Sequence, residues 1–587
     1  MARDLPTNAE IADRLALLGD LLELEGAVRH RVLAYRRGAA RVRQTSSSVA
    51  EMALAGRAVE LPDIGATLQA KIVELAETGT ISALDKVKVR VPEGLAAVAS
   101  LEGIGPKRAV ALWGALGITD LDSLTAAAAE GRLSEVPGFG PATRDKLVEQ
   151  LARRVEEGGD GPQRVPLGVA LPLAEAMADG LRAAVPGARV EIAGSLRRGR
   201  ESAHDIDLVG AAPRPGDLLD ALAGLPEVER VLSGGDAARA VSTHLGPRVE
   251  LSVTTPEAFG NLLQHATGSK AHNIRLRELA VRRGLSVSQH GIAGEDGTAV
   301  HADEEGVYAA LGLHVVPPEL REDDGEIERA AAGPVPEPVT RADLRGELHS
   351  HTTWSDGTLS VAEMVEAARR RGLEYLAISD HSRSLAMAGG LDPERVMRQW
   401  EEIREADARH DDITVLRATE VDILGDGRLD FDDELLARFD WVTASVHSAL
   451  TQDRERMTSR VLAAVESPFV DVIGHPTGRM LGRRAHSALD VGRLAEAAAR
   501  TGTYLEVNGQ PRRLDLDAAM ARTALDAGAR LTIGADAHSE EALDYARFGV
   551  LVARRAGALP GDVGNTLTWP ELAAARAARL AAAGAQP

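Results

Sequence analysis

Between Glu347 and Ser539 histidines and carboxylates recur in short packets at the ends of apolar runs: Glu347-Leu-His349-Ser-His351, Ser355-Asp356-Gly, Ser379-Asp380-His381, Glu420, Ser445-Val-His447, Gly474-His475-Pro and Gly534-Ala-Asp536-Ala-His538. Imidazoles and carboxylates are ligands for divalent metals, and folding alone gives no reason to collect so many of them. No cysteine occurs in the 587 residues, so thiolate ligation and disulfides are excluded and any metal takes nitrogen and oxygen ligands. Such mixed sets suit manganese, zinc or iron better than calcium. Clustered ions activate water and bind phosphate oxygens, which is the chemistry of phosphoester hydrolysis. His244, His410 and His486 stand outside the packets and are expected to be ordinary core or surface residues.

A second constellation lies upstream, where Gly194-Ser195-Leu-Arg197-Arg198-Gly199 precedes Asp205-Ile-Asp207. Carboxylates two apart on a strand point the same way, so both can hold one pair of magnesium or manganese ions against a triphosphate. The Gly-Ser turn offers N–H and hydroxyl donors to phosphate, and Arg198 adds charge.

Three segments near the N-terminus repeat an apolar residue, a Gly-apolar-Gly turn (Asp63 replaces the first glycine in one copy) and a helix start. They are Leu61-Pro-Asp63-Ile-Gly65, Leu101-Glu-Gly103-Ile-Gly105-Pro-Lys107 and Val136-Pro-Gly138-Phe-Gly140. Glycine there lets main-chain N–H groups approach a ligand, and the helix that follows begins with free amides and a positive dipole end, which suits a phosphodiester. The net charge of −21 argues against nucleic acid as a partner, but residues 26–50 contain no acid and carry Arg29, Arg31, Arg36, Arg37, Arg41 and Arg43.

The elements that must position these residues change along the chain. Residues 8–150 read as short amphipathic helices broken by glycine, an all-α part. Strand-like runs begin near residue 164, at 189–193, 206–209 and 248–253, alternating with helices. Ala330-Ala-Ala-Gly-Pro334-Val-Pro336-Glu-Pro338-Val339 is an extended, stiff connector. Beyond it strands at 375–379, 414–418, 441–445, 470–473, 504–507 and 530–533 alternate with helices, which predicts a barrel-like parallel sheet whose strand ends gather distant packets at one mouth. An Ala-rich tail after Leu572 is expected to be helical. No apolar run spans a bilayer and the first residues lack an apolar signal, so a cytoplasmic protein with no membrane partner is expected.

The repeated turns resemble the helix-hairpin-helix motif, a sequence-independent binder of the DNA backbone. With Asn8-Ala-Glu-Ile, Arg31-Val-Leu-Ala-Tyr35, Glu77-Thr-Gly-Thr-Ile81 and the Gly-Ser-Leu-Arg-Arg-Gly segment they resemble the polymerase β-like X family of DNA polymerases, from residue 8 to about 330. The resemblance implies DNA contacts at Tyr35, Gly65, Gly103, Gly105, Lys107, Gly138 and Gly140. It places at Lys71 the lysine that forms a Schiff base with a 5′ deoxyribose phosphate. Further nucleotide-binding residues it implies are Gly268, Ser269 and Asn273, beside Gly194, Ser195 and Arg198, and the third catalytic carboxylate after Asp205 and Asp207 falls on Glu250. There the chain departs from the family, which has aspartate; Ser252 stands where arginine usually follows, His204 where glycine stands, and His265-Ala266 replaces an aromatic pair.

The C-terminal packets resemble the PHP (polymerase and histidinol phosphatase) family over 343 to about 560. That resemblance implies three ions of manganese, zinc or iron: one held by His349, His351, Glu420 and Asp536, a second by Glu420, His447 and His475, a third by Asp356, His381 and His538. Asp380 is expected to orient His381, and Asn508, near Glu506, to line the pocket. The expected domains are a lyase-like helix-hairpin-helix domain (1–90), fingers with two further hairpins (91–160), an α+β nucleotidyltransferase palm and thumb (161–329), the proline-rich linker (330–342) and a distorted (βα) barrel of PHP type (343–575). The implied function is gap-filling DNA repair synthesis on gapped or nicked DNA with dNTPs, joined to a 3′→5′ exonuclease or other 3′-end-processing phosphoesterase, in a monomer. The alternative is a DNA-binding scaffold whose palm is inactive and whose PHP domain is a phosphatase for a small phosphomonoester such as histidinol phosphate.

Overall fold

A computed structural model describes residues 5–45, 47–101, 104–136, 147 and 164–585. The chain divides into two compact units, one of Met1–Val165, Val169–Ile192 and Ala203–Phe259, the other of Pro166–Gly168, Ala193–Ser202 and Gly260–Pro587.

The first unit opens with a helix over Asn8–Leu24, started by a Thr7–Glu10 capping box that satisfies two otherwise free amides. It packs against the helix Arg29–Gln44 through Ile11, Leu15, Leu18, Leu22, Val32 and Tyr35. Tyr35, expected at the DNA surface, is only 5 % exposed and belongs to this core. The basic stripe is partly neutralised by the first helix. Arg36 pairs with Asp20 and Glu23 and Arg43 with Asp13, while Arg29, Arg31 and Arg37 remain exposed.

Five strands follow in this unit: β1 (Arg189–Ile192), β2 (Asp205–Ala211), β3 (Val228–Gly234), β4 (Ala238–Thr243) and β5 (Arg248–Thr254). They form one sheet in the order β1-β2-β5-β4-β3, antiparallel except for the parallel pair β2–β5.

In the second unit the helices Lys270–Arg282, Glu304–Ala310 and Glu326–Ala332 enclose Leu276, Tyr308, Leu311, Val316 and Ile327 beside a three-stranded sheet of β6 (Ser286–Ser288), β7 (Gly291–Gly294) and β8 (Gly297–Ala299). Arg321 is fully buried there, and Glu304 answers its charge 2.5 Å away while also pairing with Arg197 at 2.7 Å. Residues 333–340 form no helix or strand. This strap is pinned where Val339 N–H donates to Ala558 O at 2.8 Å and Arg554 donates to the carbonyls of Pro338 and Val339.

Seven parallel strands follow in sequential order: β9 (Gly346–Ser350), β10 (Tyr375–Ile378), β11 (Thr414–Asp422), β12 (Trp441–Ser445), β13 (Val472–Ile473), β14 (Tyr504–Asn508) and β15 (Leu531–Gly534). Between Ala537 and the end of β9 the ring closes, His351 N–H donating to Ala537 O (2.8 Å) and Ala537 N–H to His349 O (3.1 Å). Alternate residues of a strand share a face, and here that face begins apolar and ends polar. Leu416 and Ala418 precede Glu420 on β11, Trp441 leads towards His447 after β12, and Tyr504 precedes Glu506 and Asn508 on β14. The apolar ends, with Tyr375 and Val472, make one core against Leu572 of the C-terminal helix Trp569–Ala582; the polar ends make the mouth. Among the described residues no helix is long and apolar enough to cross a membrane.

Candidate functional site

The barrel mouth brings together all nine residues expected as metal ligands. Their donor atoms fall into four overlapping groups, each with atoms within 4.8 Å of one another: His351, Asp356, His381 and His538; His349, His351 and Asp536; His349, Glu420 and His475; and His381, Glu420 and His447. Glu420 is central. Its Oε1 lies 2.8 Å from His475 Nε2 and 3.3 Å from His447 Nε2, and its Oε2 lies 2.7 Å from His381 Nδ1. Asp536 Oδ1 lies 3.3 Å from His351 Nε2, and Asp356 Oδ1 lies 3.3 Å from His538 Nε2 and 3.5 Å from His381 Nε2.

The donor set fits a metal cluster. His349 Nε2, both ring nitrogens of His351, His447 Nε2 and both Glu420 oxygens are buried without a hydrogen-bond partner, a costly arrangement that an ion would relieve. His475 (φ 29°) and Asp536 (φ 51°) also hold left-handed backbone, a strain of about 1–3 kcal/mol each that side-chain-bearing residues keep where surroundings over-determine them.

Within the cluster the carboxylates and imidazoles shift one another's ionisation. Burial pushes the Glu420 and Asp536 carboxyls up, but the imidazoles around them more than offset this and leave both well below the usual range. Burial lowers His349, yet Glu506, Glu420 and Asp536 raise it well above an ordinary histidine. His351, buried beside His538 and His381, falls to about 3.

Outer contacts aim the ligands. Glu506 Oε1 takes the Nδ1 side of His349 at 2.7 Å, and Glu506 Oε2 accepts the His475 N–H at 2.7 Å. Asp422 holds His447 Nδ1. Asn508, fully buried, donates from Nδ2 to Glu506 and Asp536. Asp380 does not do what the sequence led us to expect. Its carboxylate accepts from Thr352 N–H and Oγ1, Ser355 and Gln399, tying down the loop that carries Asp356 rather than orienting His381. Neighbours in an extended chain face opposite ways, so the two side chains diverge. Glu506, Asp422 and Arg513, whose Nε lies 3.4 Å from Asp536 Oδ2, were not among the expected ligands. His410 pairs with Glu366 (3.2 Å) and His486 with Thr477 (3.0 Å), outside the cluster.

In the first unit β2 and β5 run in parallel register, with Asp205 opposite Arg248 and Asp207 opposite Glu250. Arg248 Nη2 donates to Glu250 Oε2 at 2.6 Å, so this carboxylate already has a cation of its own. Gly65 caps the helix Ala66–Thr78, on which Lys71 is half-buried, while Asp63 takes the positive φ (65°) in that turn. Gly105 starts the helix Gly105–Leu116 with φ 63°, and a side chain at Gly65 or Gly105 would meet no described residue within 4 Å. Lys107 lies in the first turn of that helix. Gly103, Gly138 and Gly140 lie outside the described residues.

In the second unit Arg198 joins two of the expected nucleotide-binding segments. It leaves the short helix Gly194–Arg197, which contains Ser195, and donates to Thr267 O at 2.6 Å and to Glu322 at 3.2 Å. A side chain at Gly268 (φ 70°) would come within 3.2 Å of that guanidinium. Ser269 caps the helix Lys270–Arg282, and Asn273 bonds Gln264 and the carbonyl of His265, so both hold the segment's own shape.

Fold and site together define a multidomain protein in which a helical, hairpin-bearing part and a mixed α/β nucleotidyltransferase core are joined to a metal-binding barrel of phosphoesterase type. Family models match at residues 6–81 (helix-hairpin-helix domain), 95–153 (SAM-like helix-hairpin-helix tandem), 262–322 (DNA polymerase beta thumb) and 347–510 (PHP domain). The "DNA polymerase/3'-5' exonuclease PolX" of Bacillus subtilis (strain 168) is 36% identical over 550 residues, covering 93% of this chain and 95% of that protein. A probable phosphatase of Caldanaerobacter subterraneus subsp. tengcongensis is 29% identical over 213 residues, 34% of this chain and 78% of its own, and one of Shewanella sediminis is 29% identical over 204 residues, 33% and 77%. The chain belongs to the X family of DNA polymerases, in the form that carries a C-terminal PHP domain.

Proposed function

We propose that this protein is a DNA repair enzyme that extends and trims the 3′ end at a gap or nick, with nucleotide addition at the palm and phosphodiester hydrolysis at the barrel mouth. The observation that carries the reading is the convergence of nine ligands from six strand ends, eight of them buried or half-buried, with His349 Nε2, both ring nitrogens of His351, His447 Nε2 and both Glu420 oxygens left without hydrogen-bond partners. His349, His351, Glu420 and Asp536 would hold one ion, Glu420, His447 and His475 a second, and Asp356, His381 and His538 a third. Manganese, zinc or iron bound there supplies a water nucleophile at neutral pH and a Lewis acid for phosphate oxygens. The chain's own part is to fix these groups: Glu506 and Asp422 orient His349 and His447, and Asp380 anchors the loop bearing Asp356.

In the palm Asp205, Asp207 and Glu250 are the carboxylates for magnesium or manganese, and Gly194, Ser195 and Arg198 with the Gly268–Ser269 turn receive the dNTP. The hairpins at Gly65 and at Gly105–Lys107 hold gapped or nicked DNA by its backbone without reading sequence. Lys71 supplies the primary amine for removal of a 5′ deoxyribose phosphate.

Incubation with manganese of a gapped duplex labelled at the 5′ end of the strand whose 3′ end borders the gap tests the reading. Shortening by wild type and none by His349→Ala supports it. No DNA product from either protein, with release of phosphate from a small phosphomonoester, favours the phosphatase alternative that the shorter relatives represent.

A further inference from the structure

We propose that Arg513 is the substrate-phosphate clamp of the barrel mouth, a guanidinium held beside the metal ligands to take the non-bridging oxygens of the phosphoester under attack. The proposal rests on the reading of this mouth as a phosphoester site.

Among the described residues Arg513 is the one lysine or arginine that pairs with any of the nine ligands. It does so loosely and by its inner nitrogen. Nε lies 3.4 Å from Asp536 Oδ2, whereas Asp536 Oδ1 is turned towards His351, His349 and His538. A guanidinium recruited only as a counter-ion would present its forked outer edge to the carboxylate. Here neither terminal nitrogen donates a hydrogen bond to any described residue, and the side chain is 18 % exposed at the mouth. An unemployed fork beside a metal-ligating carboxylate matches the geometry of two phosphate oxygens.

The backbone under Arg513 is fixed on several sides. Its carbonyl accepts from Arg479 Nε at 2.8 Å, the Arg512 carbonyl accepts from Leu481 N–H at 2.7 Å, and Asp515 accepts from Thr477 N–H and Oγ1. Leu514 carries φ 49°, a left-handed backbone that these bonds hold in place. Arg479 is itself buried and paired with Glu201. The loop is thus rigid while the end of its arginine is free, which is the arrangement a preorganised binding group needs.

The test is titration calorimetry of inorganic phosphate into the manganese-loaded full-length protein, for wild type, Arg513→Lys and Arg513→Ala, with metal content measured in parallel. The expected result is phosphate binding by wild type, a loss on the order of tenfold or more in Arg513→Ala, an intermediate loss in Arg513→Lys, and equal metal content in all three. Equal phosphate affinity in the three proteins, no phosphate binding by wild type, or loss of metal from Arg513→Ala would each overturn the proposal; the last would make Arg513 a support for Asp536. Should wild type bind phosphate through Arg513 yet leave labelled DNA intact, the clamp stands and the DNA reading fails.

Discussion

Glu506 holds His349 from behind: its Oε1 lies 2.7 Å from Nδ1, while Nε2 of the same ring faces Glu420 at 3.5 Å and Asp536 at 3.7 Å. With the Nδ1 proton committed to Glu506, the ring offers its Nε2 lone pair to a metal. Replacing Glu506 with Gln removes that bias and should weaken metal binding by about 10- to 100-fold. Competition with a chelator measures this, and an unchanged affinity would show that the contact does not set the ligand.

The Glu304 carboxylate, shared by Arg321 and Arg197, gives a prediction about pH. Burial alone raises its pKa, but the two guanidinium groups reverse this and bring it to about 2, below the ordinary 4.5. A depressed folded pKa means that the stability from this group is complete above the unfolded value and is lost as pH falls from about 4.5 towards 2. Glu304→Gln leaves Arg321 buried without its charge and should cost about 3–5 kcal/mol. Amide exchange of the helices around Tyr308 should show both the loss in the variant and, in wild type alone, the decline across that window.

Glu250 stands opposite Asp207 but is bound by Arg248 on its own strand. If this longer, already paired carboxylate limits the palm, Glu250→Asp should raise nucleotide incorporation, by up to about 10²-fold, since a displacement near one ångström has that scale of effect. Primer extension with magnesium or manganese, against Asp205→Ala as the inactive control, measures it. Equal rates for wild type and Glu250→Asp would remove Glu250 as the limiting group.

The glycine turns at Gly65 and Gly105 predict binding to gapped DNA that weakens steeply with salt, with little dependence on sequence. Lys107→Ala should lower the slope of log affinity against log salt by about one, uniformly across sequences. A slope that does not change would place Lys107 away from phosphate.

Much of this architecture was legible because the barrel strands are apolar runs ending in a histidine or an acid, as in Trp441–Ser445 before His447 and Tyr504–Asn508 with Glu506. Asp422 was legible in principle, two residues beyond Glu420 and so on the same face. Tyr35 is expected at the DNA surface from the family resemblance alone, whereas its helical spacing points to the core: Val32, Tyr35 and Ala39 are all buried. The strand Val228–Gly234 gave no signal, being largely exposed and lacking a buried alternating face. Arg513 could not have been singled out, because its place at the mouth is set by a loop conformation that no sequence period encodes.

The most direct test of the account is the number of manganese ions the purified full-length protein binds after removal of its metals, read by calorimetry and elemental analysis for wild type and for Glu420→Ala. The account predicts three ions per chain in wild type and the loss of at least one when Glu420, the carboxylate common to two of the proposed sites, is removed. A wild-type protein that retains no transition metal, or a Glu420→Ala variant that binds as many ions as wild type, would contradict it.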